Sequence, residues 1–258
     1  MSTARRAAAR MAAACLVCAS SMAVAASVEI HPAGPEVPEN LLRIELRFDR
    51  PQRLPFDSRR LALLDARGDE IPRALLDLTL PSSDGRRLTV LLDPGRVKRD
   101  VGPNVDAGRA LVAGETVSLR VLDEQPGRAP TVKTWHVAPA LSRPLEVKAW
   151  RWRPPRAGSR EALVVDLRAP ISSTGEALIA VLDGSGRRVA GRTALGPNDA
   201  QWRFVPAKPW RREAYRVVAH PDLEDPAGNR RCAAFETLRA SAIRCEEAGA
   251  GGAEGAEE

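Results

Sequence analysis

A hairpin written twice constrains this chain more than any other feature. Leu61-Ala62-Leu63-Leu64-Asp65-Ala66-Arg67-Gly68-Asp69-Glu70-Ile71 returns, 118 residues on, as Ile179-Ala180-Val181-Leu182-Asp183-Gly184-Ser185-Gly186-Arg187-Arg188-Val189. In each copy an apolar run meets Asp-x-x-Gly and a second run leaves it, the signature of a strand, a turn and a returning strand. The match continues in the same order with shorter connections. Arg86-Arg87-Leu88-Thr89-Val90-Leu91 pairs with Ala200-Gln201-Trp202-Arg203-Phe204-Val205, and Glu115-Thr116-Val117-Ser118-Leu119 pairs with Glu213-Ala214-Tyr215-Arg216-Val217. One module has been duplicated. An active site seldom survives in both copies of a duplicated all-β unit, and neither copy carries a catalytic constellation.

Period-two alternation extends through both copies. Leu42, Ile44, Leu46 and Phe48 take one face and Arg43, Glu45 and Arg47 the other, as expected of a half-buried antiparallel strand with its charges in water. Leu163, Val165 and Leu167 repeat that pattern, turning Asp166 outward. Further strands read at 60–66, 71–80, 86–92, 115–122 and 131–137, with second-copy partners near 176–183, 188–194, 200–206, 213–220 and 231–238. Turn clusters such as Pro81-Ser82-Ser83-Asp84-Gly85 and Gly196-Pro197-Asn198-Asp199 separate them. Many short strands without a helical period predict an all-β chain of two tandem sandwiches, about seven strands each. The expected domains are 27–138 and 145–245, joined by the proline-stiffened linker 139–144. The tail 246–258 holds only Gly, Ala and Glu and cannot bury enough apolar surface to order itself.

The N-terminus reads as a secretory signal peptide over residues 1–26: Arg5, Arg6 and Arg10 without acids, an apolar run from Met11 to Ala19, and Ala23-Val24-Ala25-Ala26 as the cleavage site. Ser20 and Ser21 interrupt the run too early for an anchor of about 20 residues. The expected location is periplasmic or extracellular, with no transmembrane segment in the mature chain. Cys15 and Cys18 leave with the signal, so Cys232 and Cys245 are expected to pair as a disulfide in that compartment; two free thiols are the alternative.

The formal charge is +6, and it is unevenly placed. Residues 27–140 hold 17 basic and 17 acidic side chains, whereas residues 141–245 hold 19 and 11. An excess of this kind marks an anionic partner or a surface merely filled with arginine, and only four of the 39 cations are lysine.

Pro38-Glu39-Asn40-Leu41-Leu42-Arg43-Ile44-Glu45-Leu46-Arg47-Phe48, the Leu-Asp-x-x-Gly hairpins, and Asp225-Pro226-Ala227-Gly228-Asn229 before the last expected strand together resemble bacterial Ig-like domains of surface-layer and other envelope proteins. The resemblance covers 28–138 and 144–240. In the first copy Asp123-Glu124-Gln125-Pro126-Gly127 replaces the Asp-x-Ala-Gly-Asn element. It implies a fold and no reaction.

Candidate chemistry is sparse. His31, His136 and His220 lie far apart and lack metal-ligand spacing, although His31 and His136 would approach one another if the first and last strands of the first module paired. No Gly-x-Ser-x-Gly elbow or phosphate-binding glycine loop occurs. Asp222, Glu224, Asp225 and Asn229 crowd oxygen side chains together; Asp222, Asp225 and Asn229 are the metal candidates, against a turn-closing role for the same groups. Trp150 and Trp152 share one strand face, either as a glycan-stacking platform or as core. Tyr215 suits a tyrosine corner. The expectation is a protein that is not an enzyme, with no cofactor, acting on an unknown envelope protein or glycan and not on nucleic acid. A glycan-binding module, which predicts exposed Trp150, Trp152 or Trp210, and a two-domain periplasmic assembly chaperone are the rivals. The chaperone would need an apolar alternating edge strand, and Pro130 to Val137 is too polar to supply it.

Overall fold

The computed structural model describes residues 28–97, 107–125, 127–231 and 233–235. Signal peptide, acidic tail, Cys232 and Cys245 lie outside the described residues. The fold is nearly all β, in several sheets of which none closes into a barrel. In the first half the strands are β1 (Val28–His31), β2 (Glu36–Pro38), β3 (Arg43–Phe48), β4 (Leu61–Leu64), β5 (Leu75–Pro81), β6 (Arg87–Leu92), β7 (Thr116–Val121) and β8 (Thr131–Ala138). The second half supplies β9 (Arg151–Trp152), β10 (Leu163–Asp166), β11 (Ile179–Leu182), β12 (Gly191–Leu195), β13 (Gln201–Pro206) and β14 (Arg216–Ala219).

The strand order carries the duplication into space. The first half forms sheets β1-β3-β6-β5 and β2-β8-β7-β4; the second forms β9-β10-β13-β12 and the pair β11-β14. Replacing β1, β3, β6 and β5 by β9, β10, β13 and β12 reproduces one sheet, and β4-β7 becomes β11-β14. The segments matched in sequence are the strands matched in topology. Only β2 and β8, which pair in parallel through Glu36↔His136 and Val37↔Val137, lack described counterparts.

Each half encloses its own apolar cluster between its sheets. Ile44, Leu46 and Val90 of one sheet meet Leu63, Leu119 and Trp135 of the other. In the second half Val165, Trp202 and Phe204 meet Ile179, Val181 and Val217. The alternation of β3 and β13 produces this, because every second side chain falls on the inner face.

The expected strands at 71–80 and 213–220 begin later, at Leu75 and Arg216, and two others differ in kind. The first half of 176–183 winds as a 3₁₀ turn, Ser173–Leu178, before β11 begins. Gly175 allows it: a Cβ there would lie 2.4 Å from the Leu223 side chain. The expected strand at 231–238 is, among the described residues, an isolated bridge between Arg230 and Ala233. Arg230 is drawn back onto Asp222 and Glu224 by its guanidinium, and the amide of Phe235 is taken by the Asn229 side chain at 2.9 Å, which turns the backbone out of a ladder.

Candidate functional site

The Asp-x-x-Gly turn occurs three times with one geometry. Asp65 Oδ1 accepts the amides of Arg67 and Asp69, both at 2.9 Å. Asp183 Oδ1 accepts those of Ser185 and Arg187 at 3.0 Å. Asp225 Oδ1 accepts those of Ala227 and Asn229 at 2.9 Å. Gly68, Gly186 and Gly228 close the turns at φ of 87°, 80° and 81°, a left-handed conformation that glycine adopts without a Cβ penalty. The Asp225-to-Asn229 element is therefore a third copy of the repeated turn, and its oxygen-rich composition is spent on backbone amides. Among the described residues, no group of three or more His, Cys, Asp or Glu is placed to hold a metal.

The third turn differs in where it sits. Gly228 rests on Leu42 of the first half, and the Leu42 amide donates to Pro226 O at 3.2 Å. Asn229 is buried; its Nδ2 donates to Leu141 O at 3.0 Å and to Asp225 Oδ2 at 2.8 Å. Asn40, equally buried, donates to the same Leu141 carbonyl at 2.9 Å and accepts the Leu141 amide at 3.0 Å. One peptide of the linker is thus gripped from both halves. Environment sets the electrostatics: the bonds from the Ser185 hydroxyl and the Arg187 amide hold Asp183 below the usual carboxylate range, whereas burial pushes Asp225 above it despite the bonds from Asn229.

Two further loops of the second half seat on the outer face of the β1-β3-β6-β5 sheet. Asp199, buried and at φ 57°, accepts His31 Nδ1 at 2.9 Å and the Ala33 amide at 2.7 Å. Glu29 approaches the opposite ring nitrogen of His31 at 3.6 Å. Arg47 donates to Ser173 O at 3.1 Å and Glu176 Oε2 at 3.3 Å. Arg43 pairs with Glu224, whose other oxygen accepts Arg230 Nε at 2.9 Å. Glu45 lies under this cover. It accepts the Thr89 hydroxyl at 2.7 Å, and burial raises its pKa from the ordinary value in spite of that bond and the neighbouring arginines. Glu45 was expected in water; the alternation is as read, but the outer face it occupies is covered.

The remaining candidates are dispersed. Trp150, Trp152 and Trp210 are 1%, 6% and 3% exposed, all within the second apolar cluster, so Trp150 and Trp152 present no stacking platform. His136, exposed on β8, pairs with Glu36 in the sheet opposite the one that holds His31, so the two histidines do not meet. His220 and Asp222 stand exposed, with Nδ1 and Oδ2 3.5 Å apart. Asp225 lines a cleft of about 350 Å³ beside the linker with its carboxylate already committed. Tyr215 OH accepts the Arg211 amide at 2.8 Å, the tyrosine corner its position suggested. Sequence reasoning missed Asp199, Glu176 and Asn40. Asp199 had a visible signal in Pro197-Asn198-Asp199, a turn sequence in which Asn and Asp tolerate positive φ; Asn40 stood within the Pro38-to-Phe48 motif without a role.

No protein family and no curated protein matches the sequence. Solved structures match weakly. They include the pullulanase SAP of Group B Streptococcus, at 13% identity and a TM-score of 0.23 over 75% of this chain and 22% of that one. A Dscam structure matches at 12% and 0.22, over 75% of this chain and 47% of that one. Murine CEACAM1b matches at 14% and 0.18, over 75% and 90%. This chain therefore spans less than half the length of the first two. No helix among the described residues is long and apolar enough to cross a membrane, a statement that does not bear on β-barrels.

Proposed function

We propose that this is a secreted, non-catalytic protein of the bacterial envelope in which two Ig-like sandwiches are locked into one rigid arm that serves a structural or binding role. The observation that carries the reading is the use made of buried polar groups: His31, Asp199, Asn40 and Asn229 are all spent on joining the two halves. A catalytic histidine or carboxylate needs a free face toward a substrate. Here His31 Nδ1 is committed to Asp199 and its Nε2 is buried from solvent, so neither nitrogen presents a face to a substrate. The two rival readings lose their carriers. A stacking platform needs exposed tryptophan, and Trp150, Trp152 and Trp210 are core. A donated strand needs a free edge, and β8 is flanked on both sides, by β2 and β7.

The test has two arms. Expression of the whole chain in a bacterial host, followed by mass spectrometry of the envelope fraction, is expected to find an N-terminus at Ala26 or Ser27; Met1 or Cys15 would overturn secretion. Incubation of the protein with isolated envelope polymers is expected to retain it on them without releasing reducing ends or peptides. Release that disappears in His31→Ala would overturn the non-catalytic assignment.

A further inference from the structure

The second copy of the repeated hairpin forms one wall of a groove of about 350 Å³, and four of the side chains lining that groove are Arg187, Arg188, Lys208 and Arg211. Val189, Ala190, Pro209 and the half-buried Tyr215 make its apolar part, with the core residue Trp210 behind them. We propose that this groove binds an acidic saccharide, a sugar chain carrying carboxylate or phosphate groups. The proposal rests on the envelope-binding reading above and gives it a site and a ligand class.

The duplication supplies an internal comparison. Arg187 and Arg188 occupy the positions that Asp69 and Glu70 hold in the first copy of the same turn. Both turns close identically, through the Asp carboxylate and the i+4 carbonyl, so the fold asks for no particular charge there. Two acids in one copy and two arginines in the other reverse the local charge without altering the backbone. The basic excess of the chain also falls in the half that holds this groove.

The cations are available. Arg188, Lys208 and Arg211 make no ion pair with a described residue, and Arg187 meets Asp183 at 3.6 Å while 76% exposed. Of the two acids in the groove, Asp183 is already held by two amides and the Ser185 hydroxyl. Glu213 is the other, its Oε1 3.3 Å from the Tyr215 hydroxyl, so four cations face two carboxylates and the groove keeps a basic excess.

The walls are fixed before any ligand arrives. Ala207 N donates to Ala190 O at 2.8 Å, Trp210 N to Ser159 O at 2.9 Å and Trp210 Nε1 to Glu161 O at 2.9 Å. Arg211 N is held by Tyr215 OH. Exposed cationic side chains beside an apolar wall suit a ligand with anionic substituents on a ring that has an apolar face, and fixed walls lower the ordering cost of binding. Single-stranded nucleic acid would need exposed aromatic faces for its bases, and Trp150, Trp152, Trp202 and Trp210 are buried.

Calorimetric titration of the full chain with tetragalacturonate, with a mannose-phosphate oligosaccharide and with the methyl ester of tetragalacturonate tests this. Binding is expected to at least one of the two anions, weakening as salt rises, with none to the neutral ester. The double variant Arg187→Asp, Arg188→Glu keeps a sequence that the first copy already folds, and is expected to lose at least about tenfold in affinity. Arg53→Glu, a charge reversal on the first sandwich, is expected to leave affinity unchanged. Equal binding of the ester, equal loss in Arg53→Glu, or no binding of either anion would overturn the groove. Such a result with the chain still retained on envelope polymers leaves the envelope reading standing; release of sugar fragments in the titration mixture would instead overturn the non-catalytic reading and leave the groove.

Discussion

Leu46 and Glu45 are neighbours on β3, and both are buried for different reasons. Leu46 is inside because alternation puts it on the inner face of the sheet; Leu46→Ala should cost about 2–5 kcal/mol in urea unfolding, the sum of lost transfer energy and a cavity that relaxes incompletely. Glu45 is on the outer face and is buried only because the second half covers it. Its raised pKa, and that of Asp225, fix the sign of a pH effect. A carboxyl whose folded pKa lies above its unfolded value binds a proton in the folded state while the unfolded chain has already lost it. The fold should therefore gain stability from these two groups as pH falls from neutral through their raised values toward the ordinary 4.5 and 3.8, and lose it again on return. Glu45→Gln should raise the midpoint of thermal unfolding at neutral pH and flatten that slope, because the amide oxygen still accepts from Thr89 without carrying a charge. A lower midpoint at neutral pH would show that the ionised carboxylate is the favoured form.

At the scale of elements, three copies of one turn separate backbone strain from docking. Gly186 and Gly228 have the same φ to within a degree, but a Cβ on Gly186 meets nothing within 4 Å whereas one on Gly228 lies 2.4 Å from Leu42 Cδ1. Gly186→Ala should cost about 1 kcal/mol, the left-handed penalty alone. Gly228→Ala carries the same penalty and also a clash with the first half, so the excess over Gly186→Ala measures the contact. Equal melting shifts would show that Leu42 swings aside. The turn itself was legible in sequence, because Asp at the first position and Gly at the fourth are dictated by local hydrogen bonds. The 3₁₀ turn at Ser173–Leu178 was not, since it is set by Leu223 packing against Gly175 from a distant part of the chain.

The two halves of the molecule are joined by a seam that is largely polar. A buried pair such as His31 and Asp199 is weak evidence for stability, because desolvation offsets much of the attraction; what it supplies is orientation, since any other docking leaves its members unpaired. The grip of Asn40 and Asn229 on Leu141 has the same character. Replacing both asparagines by alanine should leave each sandwich folded and free the linker. Thermolysin cleavage before Leu141 is then expected to rise at least about tenfold while the two fragments stay resistant, as local opening replaces global unfolding as the route to cleavage. Cleavage that rises equally throughout the chain would show that the sandwiches depend on the seam for their own folding.

What the sequence determined by itself were the quantities set by neighbours along the chain: which residues alternate inward, where turns close, and which segments repeat. Those follow from backbone geometry and side-chain period, so β3, β6, β7, β10 and β13 and the three Asp-x-x-Gly turns could be located without a structure. Alternation states that Arg43, Glu45 and Arg47 share a face, and is silent on what that face meets. Only the tertiary structure decided that the loops bearing Glu176, Asp199 and Glu224 lie on it, turning an outward strand face into a buried polar seam and a glutamate into a desolvated one. The physical reason is range. Period and turn chemistry act within about five residues, whereas the His31–Asp199 contact joins positions 168 residues apart, and nothing local to either specifies the other.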